Sequence, residues 1–213
     1  MIDANVARLR REFESIGLIE AEMASDPVAQ FELWFDAAVD AALYEPTAFV
    51  LATSTPDGRP SARAVLMKDF GPEGVVFYTN LRSPKSEELG ANPRAAATFM
   101  WTPLHRQVRF EGSVVPVESE VADRYFSTRP RGAQIAAHAS RQSRIVATRD
   151  ELDARFGEIE ARYPHQVPRP EAWGGWRLVP DSVEFWQGQP NRFHDRVRYQ
   201  RRDGVWVLER LSP

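Results

Sequence analysis

Apolar residues along this chain follow a helical period at first, switch to alternation and short continuous runs from Ala48, and mix the two periods thereafter. Leu9, Phe13 and Ile16 stand at helical spacing with Arg8, Arg10 and Arg11 between them, so residues 1–26 read as an amphipathic or partly disordered arm. Asp26-Pro27 opens a clear helix, because proline suits a first helical turn. Phe31, Trp34, Phe35, Ala38 and Leu43 give that helix a wide apolar stripe for packing. Three extended runs follow, Ala48–Thr53, Ser61–Lys68 and Val75–Thr79. Thr55-Pro56-Asp57-Gly58 and Gly71-Pro72-Glu73-Gly74 lie between them as turns, which predicts an antiparallel meander.

A brief helix is predicted at Ser83–Leu89, then strands at Ala95–Met100 and Arg106–Val117. In the second of these Gln107, Arg109 and Glu111 alternate with Val108 and Phe110, so one face is wet. That face turns either to solvent or, in a barrel wall, to a ligand. Glu118–Phe126 reads as a helix that Arg129-Pro130-Arg131-Gly132 breaks, and Arg149–Tyr163 as a second one burying Leu152, Phe156 and Ile159. Strands return at Gly175–Val179, Ser182–Trp186, Arg196–Gln200 and Val205–Arg210. No repeat and no linker long enough to divide the chain interrupts this order. The pattern predicts one domain over residues 27–213, mainly β with peripheral α-helices, its antiparallel strands forming a closed or nearly closed barrel.

Composition narrows the chemistry. A compact domain of 213 residues buries roughly 70% of its unfolded surface, enough for a sizeable core. The net charge of −3 gives no global field that favours nucleic acid or an anionic membrane, so any anion site must be local. The absence of cysteine excludes disulfides, thiolate nucleophiles and thiolate metal ligands. No run of about 18 apolar residues is present, and Met1-Ile2-Asp3-Ala4-Asn5 lacks the build of a signal peptide. Cytoplasm is the expected location.

The densest candidate chemistry lies in Glu184-Phe185-Trp186-Gln187-Gly188-Gln189-Pro190-Asn191-Arg192-Phe193-His194-Asp195-Arg196. If the chain is extended after the turn at Gly188–Asn191, then Arg192, His194 and Arg196 share one face, next to the flat apolar surface of Phe185 and Trp186. Such a row suits a planar, phosphorylated ligand; a solvated edge strand whose charges guard against aggregation is the other reading. Further cations cluster at Arg63 with Lys68, at Ser83-Pro84-Lys85 opening a short helix, and through Arg129, Arg131, Arg141 and Arg144. The four histidines, His105, His138, His165 and His194, are too scattered for a metal motif, so no metal is expected. Neither a nucleophile elbow nor a glycine-rich phosphate loop is present, which leaves chemistry to an organic cofactor such as a flavin phosphate ester.

The chain also resembles the pyridoxamine 5′-phosphate oxidase family, roughly from Leu9 to Pro213. The resemblance is carried by Arg63-Ala64-Val65-Leu66-Met67-Lys68, Phe77-Tyr78-Thr79-Asn80, Arg106-Gln107-Val108, Tyr125-Phe126-Ser127-Thr128-Arg129-Pro130-Arg131, Arg141-Gln142-Ser143, Trp173-Gly174-Gly175, Glu184-Phe185-Trp186-Gln187-Gly188, Arg192-Phe193-His194-Asp195-Arg196 and Glu209-Arg210-Leu211-Ser212-Pro213. It implies a split β-barrel homodimer with FMN at the subunit interface. It implies FMN contacts at Arg63, Ala64, Val65, Leu66, Met67, Lys68, Tyr78, Thr79, Lys85, Gln107, Gln142, Ser143, Trp186 and Arg196. Lys68, Tyr125 and Arg129 are the implied holders of the substrate phosphate, and Arg192 and His194 the implied catalytic pair near the reacting carbon, His194 being the better acid–base candidate. The implied reaction moves a hydride from the amine- or alcohol-bearing carbon of pyridoxamine or pyridoxine 5′-phosphate to FMN. Dioxygen then becomes hydrogen peroxide, and the imine formed from the amine hydrolyses to aldehyde and ammonia.

Three positions and one segment depart from the family pattern. Pro84 stands where the family commonly has Arg, which removes a cation from the FMN phosphate, and Ala133 replaces a serine that often serves the substrate phosphate, a loss on the order of 1 kcal/mol. Glu45 stands for an Asp, and Arg10-Arg11-Glu12-Phe13 for a segment that tends to end in Tyr, which leaves a lid role for the arm unsupported. Two other readings compete: the related split-barrel flavin oxidase of phenazine biosynthesis, whose substrate has no phosphate, and a non-catalytic FMN or pyridoxal-phosphate binding protein. Lys68, Tyr125 and Arg129 favour the phosphate-bearing substrate; a yellow protein that releases peroxide would eliminate the binding protein.

Overall fold

The computed structural model describes residues 17–213, so the helical spacing of Leu9, Phe13 and Ile16 lies outside the described residues. In chain order the elements are α1 (Pro27–Asp40), β1 (Ala48–Ser54), β2 (Pro60–Leu66), β3 (Asp69–Gly71), β4 (Gly74–Asn80), α2 (Pro84–Ala91), β5 (Arg94–Trp101), β6 (Arg106–Pro116), α3 (Ser119–Thr128), α4 (Arg131–Ala139), α5 (Arg149–Arg162), β7 (Trp173–Gln187), β8 (Asp195–Arg202) and β9 (Val205–Leu211). Among the described residues, nine strands run in the order β2-β1-β5-β6-β7-β4-β3, with β8 on β7 and β9 on β8. Mainly β with peripheral helices is therefore the observed class, as the pattern predicts.

The chain divides into two compact units. The first comprises the residues up to Phe49, Ala97–Phe110 and Asp181–Pro213. Asp26 caps α1, its carboxylate accepting from the N–H groups of Val28 at 2.9 Å and Ala29 at 3.1 Å, with Pro27 in the first turn. The apolar stripe of α1 buries Phe31 and Trp34. Phe31 meets Phe99 and Phe110, each with ring centroids 5.0 Å apart, and Trp34 meets Phe185 edge-on at 5.2 Å. The Tyr199 hydroxyl donates to the Ala24 carbonyl at 2.7 Å and so ties the segment before α1 to β8.

The second unit comprises Val50–Ala96 and Glu111–Pro180. Its β4 pairs antiparallel with β7, Tyr78 opposite Gly175 and Asn80 opposite Trp173. Phe126, Ile135, Val167 and Trp173 form a buried cluster, against which Tyr78, Tyr125, Phe156 and Ile159 pack. In this way α3, α4 and α5 are covered by the same apolar cluster that reaches β4 and β7.

Two sequence expectations are corrected by the structure, and one helix is added. The meander does not continue past β2: a short β3 intervenes, and β4 pairs with β3 and β7. Hydrophobic period fixes which residues are extended but not which strands pair. The two runs Gly175–Val179 and Ser182–Trp186 belong to one strand, β7, which pairs with β4 over Trp173–Leu178 and with β8 over Ser182–Gln187. Pro180, which has no N–H to donate, falls between the two pairings. The break expected at Arg129-Pro130-Arg131-Gly132 is present, α3 ending at Thr128 with Arg129 extended, but a further helix, α4, starts at Arg131, where the sequence pattern predicts none. Burial of Ile135 in the cluster outweighs the low propensity of Gly132 in the first turn.

Candidate active site

Within the second unit, β2, β4, β7, α2 and α3 surround a recess of about 590 Å³. Strand β2 contributes Arg63, Ala64, Val65 and Leu66, and Lys68 follows it; β4 contributes Tyr78 and Thr79, α2 contributes Lys85, and α3 contributes Tyr125 and Thr128. Arg129, Pro130, Gln142 and Trp173 complete the lining. Four of these residues are cationic, Arg63, Lys68, Lys85 and Arg129, and none is a carboxylate. Such a surface is built for an anion.

Lys85 is buried in the first turn of α2, and its ammonium donates to Gln142 Oε1 at 2.8 Å, Thr79 Oγ1 at 3.2 Å and Ser83 Oγ at 3.4 Å. Thr79 itself donates to Gln142 Oε1 at 2.9 Å. All three partners of the ammonium are neutral. Burial holds Lys85 below the ordinary lysine range, the Arg63 charge adds to that, and the Glu88 carboxylate opposes it.

Aromatic stacking fixes the other side. Gly175 faces Tyr78 across the β4–β7 pairing, and a Cβ there would stand 2.9 Å from the Tyr78 ring, so glycine lets the ring lie down. Tyr78 stacks on Trp173 at 5.0 Å and 2°, and on Tyr125 at 4.3 Å and 17°. The Arg129 guanidinium lies 4.8 Å over Trp173 and 5.4 Å from the Phe126 centroid. Its Nη1 is buried and, among the described residues, has no hydrogen-bond partner. A buried cationic donor left open in this way points to a missing anionic acceptor. Burial also holds Arg129 below the usual arginine range and pushes the Tyr125 and Tyr78 hydroxyls up.

The remaining predicted residues fall elsewhere. Met67 is buried in the core. Ser143 sits in the left-handed region at φ 65°, next to Gln142. In the first unit, Gln107 and Trp186 line a separate recess of about 410 Å³ with Met100, Thr102, His105 and Arg106. Arg196 grips the buried Glu184 carboxylate through Nε at 2.8 Å and Nη2 at 3.1 Å, and Arg109 binds the same group at 2.8 Å. The Glu184 bonds raise the Arg196 pKa further.

The expected row of Arg192, His194 and Arg196 on one strand face is not formed. Residues Pro190–Arg192 make a 3₁₀ turn, Asn191 and Arg192 have φ of 56° and 61°, and β8 begins only at Asp195. The turn formers Pro190 and Asn191 thus govern more of the segment than the alternation suggests. His194 lies against Trp186 with ring centroids 4.7 Å apart, and its Nδ1 accepts from the Gln189 N–H at 3.0 Å. The proton of the neutral imidazole therefore sits on Nε2.

The cluster Arg129, Arg131, Arg141 and Arg144 also divides. Arg131 donates to the carbonyls of Tyr163 and His165, Arg144 pairs with Glu87 at 2.8 Å, and Arg141 and Arg144 line a neighbouring recess with Asn80. Sequence reasoning missed Thr128, Pro130 and Trp173 in the main recess, although Trp173 opens the Trp-Gly-Gly motif. It also missed Glu88, whose signal is a charged residue one turn after Lys85 on the buried face of α2.

Comparison with known proteins adds the following. Residues 35–163 match the family described as pyridoxamine 5′-phosphate oxidase, and residues 173–213 match the pyridoxine 5′-phosphate oxidase C-terminal dimerisation region. The chain is 52% identical over 210 residues to a pyridoxine/pyridoxamine 5′-phosphate oxidase of Rubrobacter xylanophilus, covering 98% of this chain and 97% of that one. It is likewise 52% identical over 210 residues to the enzyme of that name from Bordetella petrii, covering 98% and 100%. Among solved structures, PhzG from Burkholderia lata in complex with tetrahydrophenazine-1-carboxylic acid superposes with a TM-score of 0.88 at 32% identity, over 93% of this chain and 98% of that one. An FMN-binding protein from Nostoc punctiforme, 19% identical over 90% of this chain and 100% of that one, has the same fold at a TM-score of 0.73.

Proposed function

The chain belongs to the pyridoxamine 5′-phosphate oxidase family, and we infer that it converts pyridoxamine and pyridoxine 5′-phosphates to pyridoxal 5′-phosphate with FMN as its cofactor. The observation that carries the reading to this chain's own residues is the recess, with four cations, no carboxylate in its lining and an open buried donor on Arg129. These residues fit a phosphorylated flavin beside a phosphorylated substrate. When bound, FMN takes up the hydride released by the substrate carbon, and dioxygen is the final acceptor in this reading.

Lys85, with Thr79 and Gln142 around its ammonium, would hold the flavin phosphate, and Arg63 adds charge beside it. Lys68, Tyr125 and Arg129 would hold the substrate phosphate, Arg129 through the open Nη1. Anchoring the phosphate fixes the pyridine ring, so the reacting carbon needs no search for its orientation. Arg192 and His194 are assigned to that carbon, His194 exchanging a proton through Nε2, since Nδ1 is engaged by Gln189. Gln107, Trp186 and Arg196 are assigned to the flavin from the second subunit of a homodimer, an arrangement supported by the match of residues 173–213 to a dimerisation region.

Among the described residues no helix is long and apolar enough to cross a membrane. The proposal includes a cytoplasmic location, because phosphorylated substrates do not cross bilayers unaided. The likeness to PhzG supports a phenazine-type oxidase as the second reading. A tricycle of that kind brings Lys68 and Arg129 one carboxylate charge, whereas a phosphate monoester brings about −1.5 to −2 and three acceptor oxygens, which favours the phosphorylated pyridine.

The test is dioxygen consumption by the FMN-loaded protein with pyridoxamine 5′-phosphate and with the unphosphorylated amine. Turnover confined to the phosphorylated compound is expected. Equal turnover of both, or none with FMN bound, refutes the substrate assignment.

A further inference from the structure

Behind the recess, β1, β2 and α2 bring Thr53, Ser61, Arg63 and Glu88 into one hydrogen-bonded group. Glu88 is buried, and its Oε2 accepts from the Thr53 hydroxyl, from the Ser61 hydroxyl at 2.6 Å and from Nη2 of Arg63 at 3.4 Å. Each hydroxyl in turn accepts from the guanidinium, Thr53 from Nη1 at 2.5 Å and Ser61 from Nη2 at 2.5 Å. The Leu51 carbonyl accepts a second bond from Nη1 at 3.3 Å. A guanidinium has four terminal N–H bonds and one at Nε. These contacts occupy the four terminal ones, so both ends of the fork are turned to the floor, and the side chain presents to the recess a charge in one fixed place.

We propose that Glu88 is a positioning residue for the flavin phosphate: through Thr53 and Ser61, its two arms, it holds the Arg63 guanidinium in the recess wall beside Lys85. The inference rests on the reading of the recess as an FMN site. Arg63 and Lys85 are like charges, and a long arginine side chain free to change rotamer would swing away from the lysine. Pro84, next to Lys85, supplies no charge of its own. A carboxylate facing the ligand would repel a phosphate, but Glu88 does not line the recess, and its bonding oxygen is covered by three donors. Burial raises the Glu88 carboxyl, and the bonds from Ser61 and Thr53 with the Arg63 charge outweigh it and hold the group below the usual carboxylate range. Glu88 is therefore ionised at neutral pH. The charged groups facing it are Arg63 on β2 and Lys85 on its own helix.

The experiment titrates flavin-free protein with FMN and with riboflavin, which lacks the phosphate, following quenching of flavin fluorescence. Glu88→Gln keeps the shape and removes the charge; it is expected to weaken FMN about tenfold, the scale of one charge-assisted bond, with riboflavin changed less than about twofold. Ser61→Ala removes one arm, leaves the carboxylate in place, and is expected to give a smaller loss of the same kind. In an Arg63→Ala background, Glu88→Gln is expected to change FMN affinity less than about twofold, because the residue acts through the arginine. A merely structural role would lower both flavin affinities and the melting temperature together, which overturns the proposal. So does a full Glu88→Gln effect that persists without Arg63, or tighter FMN binding by the variant. Parent protein that binds FMN no better than riboflavin would instead overturn the FMN-site reading on which the proposal rests.

Discussion

Replacing Lys85 with methionine separates two effects of its ammonium that have opposite signs. In the free protein the ammonium is buried, faces the Arg63 charge and has only neutral oxygens as donors' partners. Burial first, and Arg63 second, hold it below the ordinary lysine range, which means that folding works against its charge. Methionine fills a similar volume without a charge, and Gln142 keeps its bond from Thr79. The flavin-free variant is therefore expected to be at least as stable as the parent. With FMN the sign reverses. A charge-assisted bond to the phosphate contributes about 1.5–3 kcal/mol, so affinity should fall roughly 10- to 150-fold. At FMN equal to 100 times the parent Kd, binding stabilises the parent by about 2.7 kcal/mol, and a variant weakened about 30-fold by only about 0.9 kcal/mol. For a chain of this length the difference of about 1.8 kcal/mol removes roughly 4–7 °C of the FMN-induced rise in Tm. The assay is thermal unfolding with and without FMN, with riboflavin as the control. A variant that is less stable without flavin and loses FMN and riboflavin affinity equally would show that Lys85 is a packing element and refute the phosphate assignment.

Other predictions follow from the same geometry. Because Lys85 is depressed below its unfolded value, the folded protein releases that proton first as pH rises; FMN affinity should fall from a point below 10.5 while riboflavin affinity does not, and flavin-free stability should rise over the same window. Flavin titrations and melts across pH 8–11, roughly the lysine range, read both. Lys68→Ala should raise KM for the phosphorylated substrate by about tenfold or more with FMN affinity nearly unchanged, and steady-state kinetics beside a flavin titration would expose an error. Arg192→Ala should lower kcat far more than FMN occupancy, and equal losses would move that residue out of the substrate site. Gly175→Val places side-chain atoms where a Cβ already stands 2.9 Å from the Tyr78 ring and from Val117; a loss of about 1–3 kcal/mol in denaturant unfolding is expected, with weakened flavin binding.

Much of the fold was legible because it is local. Asp26-Pro27 announces a helix start, and α1 begins there; its stripe buries Phe31, Trp34 and Ala38, while Leu43 lies beyond the helix end at Asp40. The alternation in β6 survives as well, with Val108 and Phe110 buried and Gln107, Arg109 and Glu111 partly exposed. Pairing was not legible: nothing in the period of Val75–Thr79 says that its neighbour is β7, nearly a hundred positions later. Helix α4 was hidden because glycine and proline read as a break, whereas Ile135 reaches a cluster that only the folded chain assembles. In the site, the residues that touch the recess came from ordered motifs, but the group that aims Arg63 did not. Thr53, Ser61 and Glu88 are ordinary residues on three elements, and only their convergence on one guanidinium gives them a role.

Charge balance favours two phosphorylated ligands over one. The recess gathers four cations in a protein whose net charge is −3. Glu88 pairs with Arg63 from behind, so roughly three positive charges are left for ligands. A phosphate monoester carries about −1.5 to −2 at neutral pH. One such group would leave a half-buried cation unmatched, and Arg129, whose Nη1 is covered and has no hydrogen-bond partner among the described residues, is the group that would suffer. Two bring about −3 to −4, which offsets the cations, with one phosphate proposed beside Lys85 and the other beside Lys68 and Arg129. A flavin phosphate with an uncharged partner does not reach that balance, so in the proposed arrangement the substrate's own phosphate is as much a part of the site's electrostatics as the cofactor's.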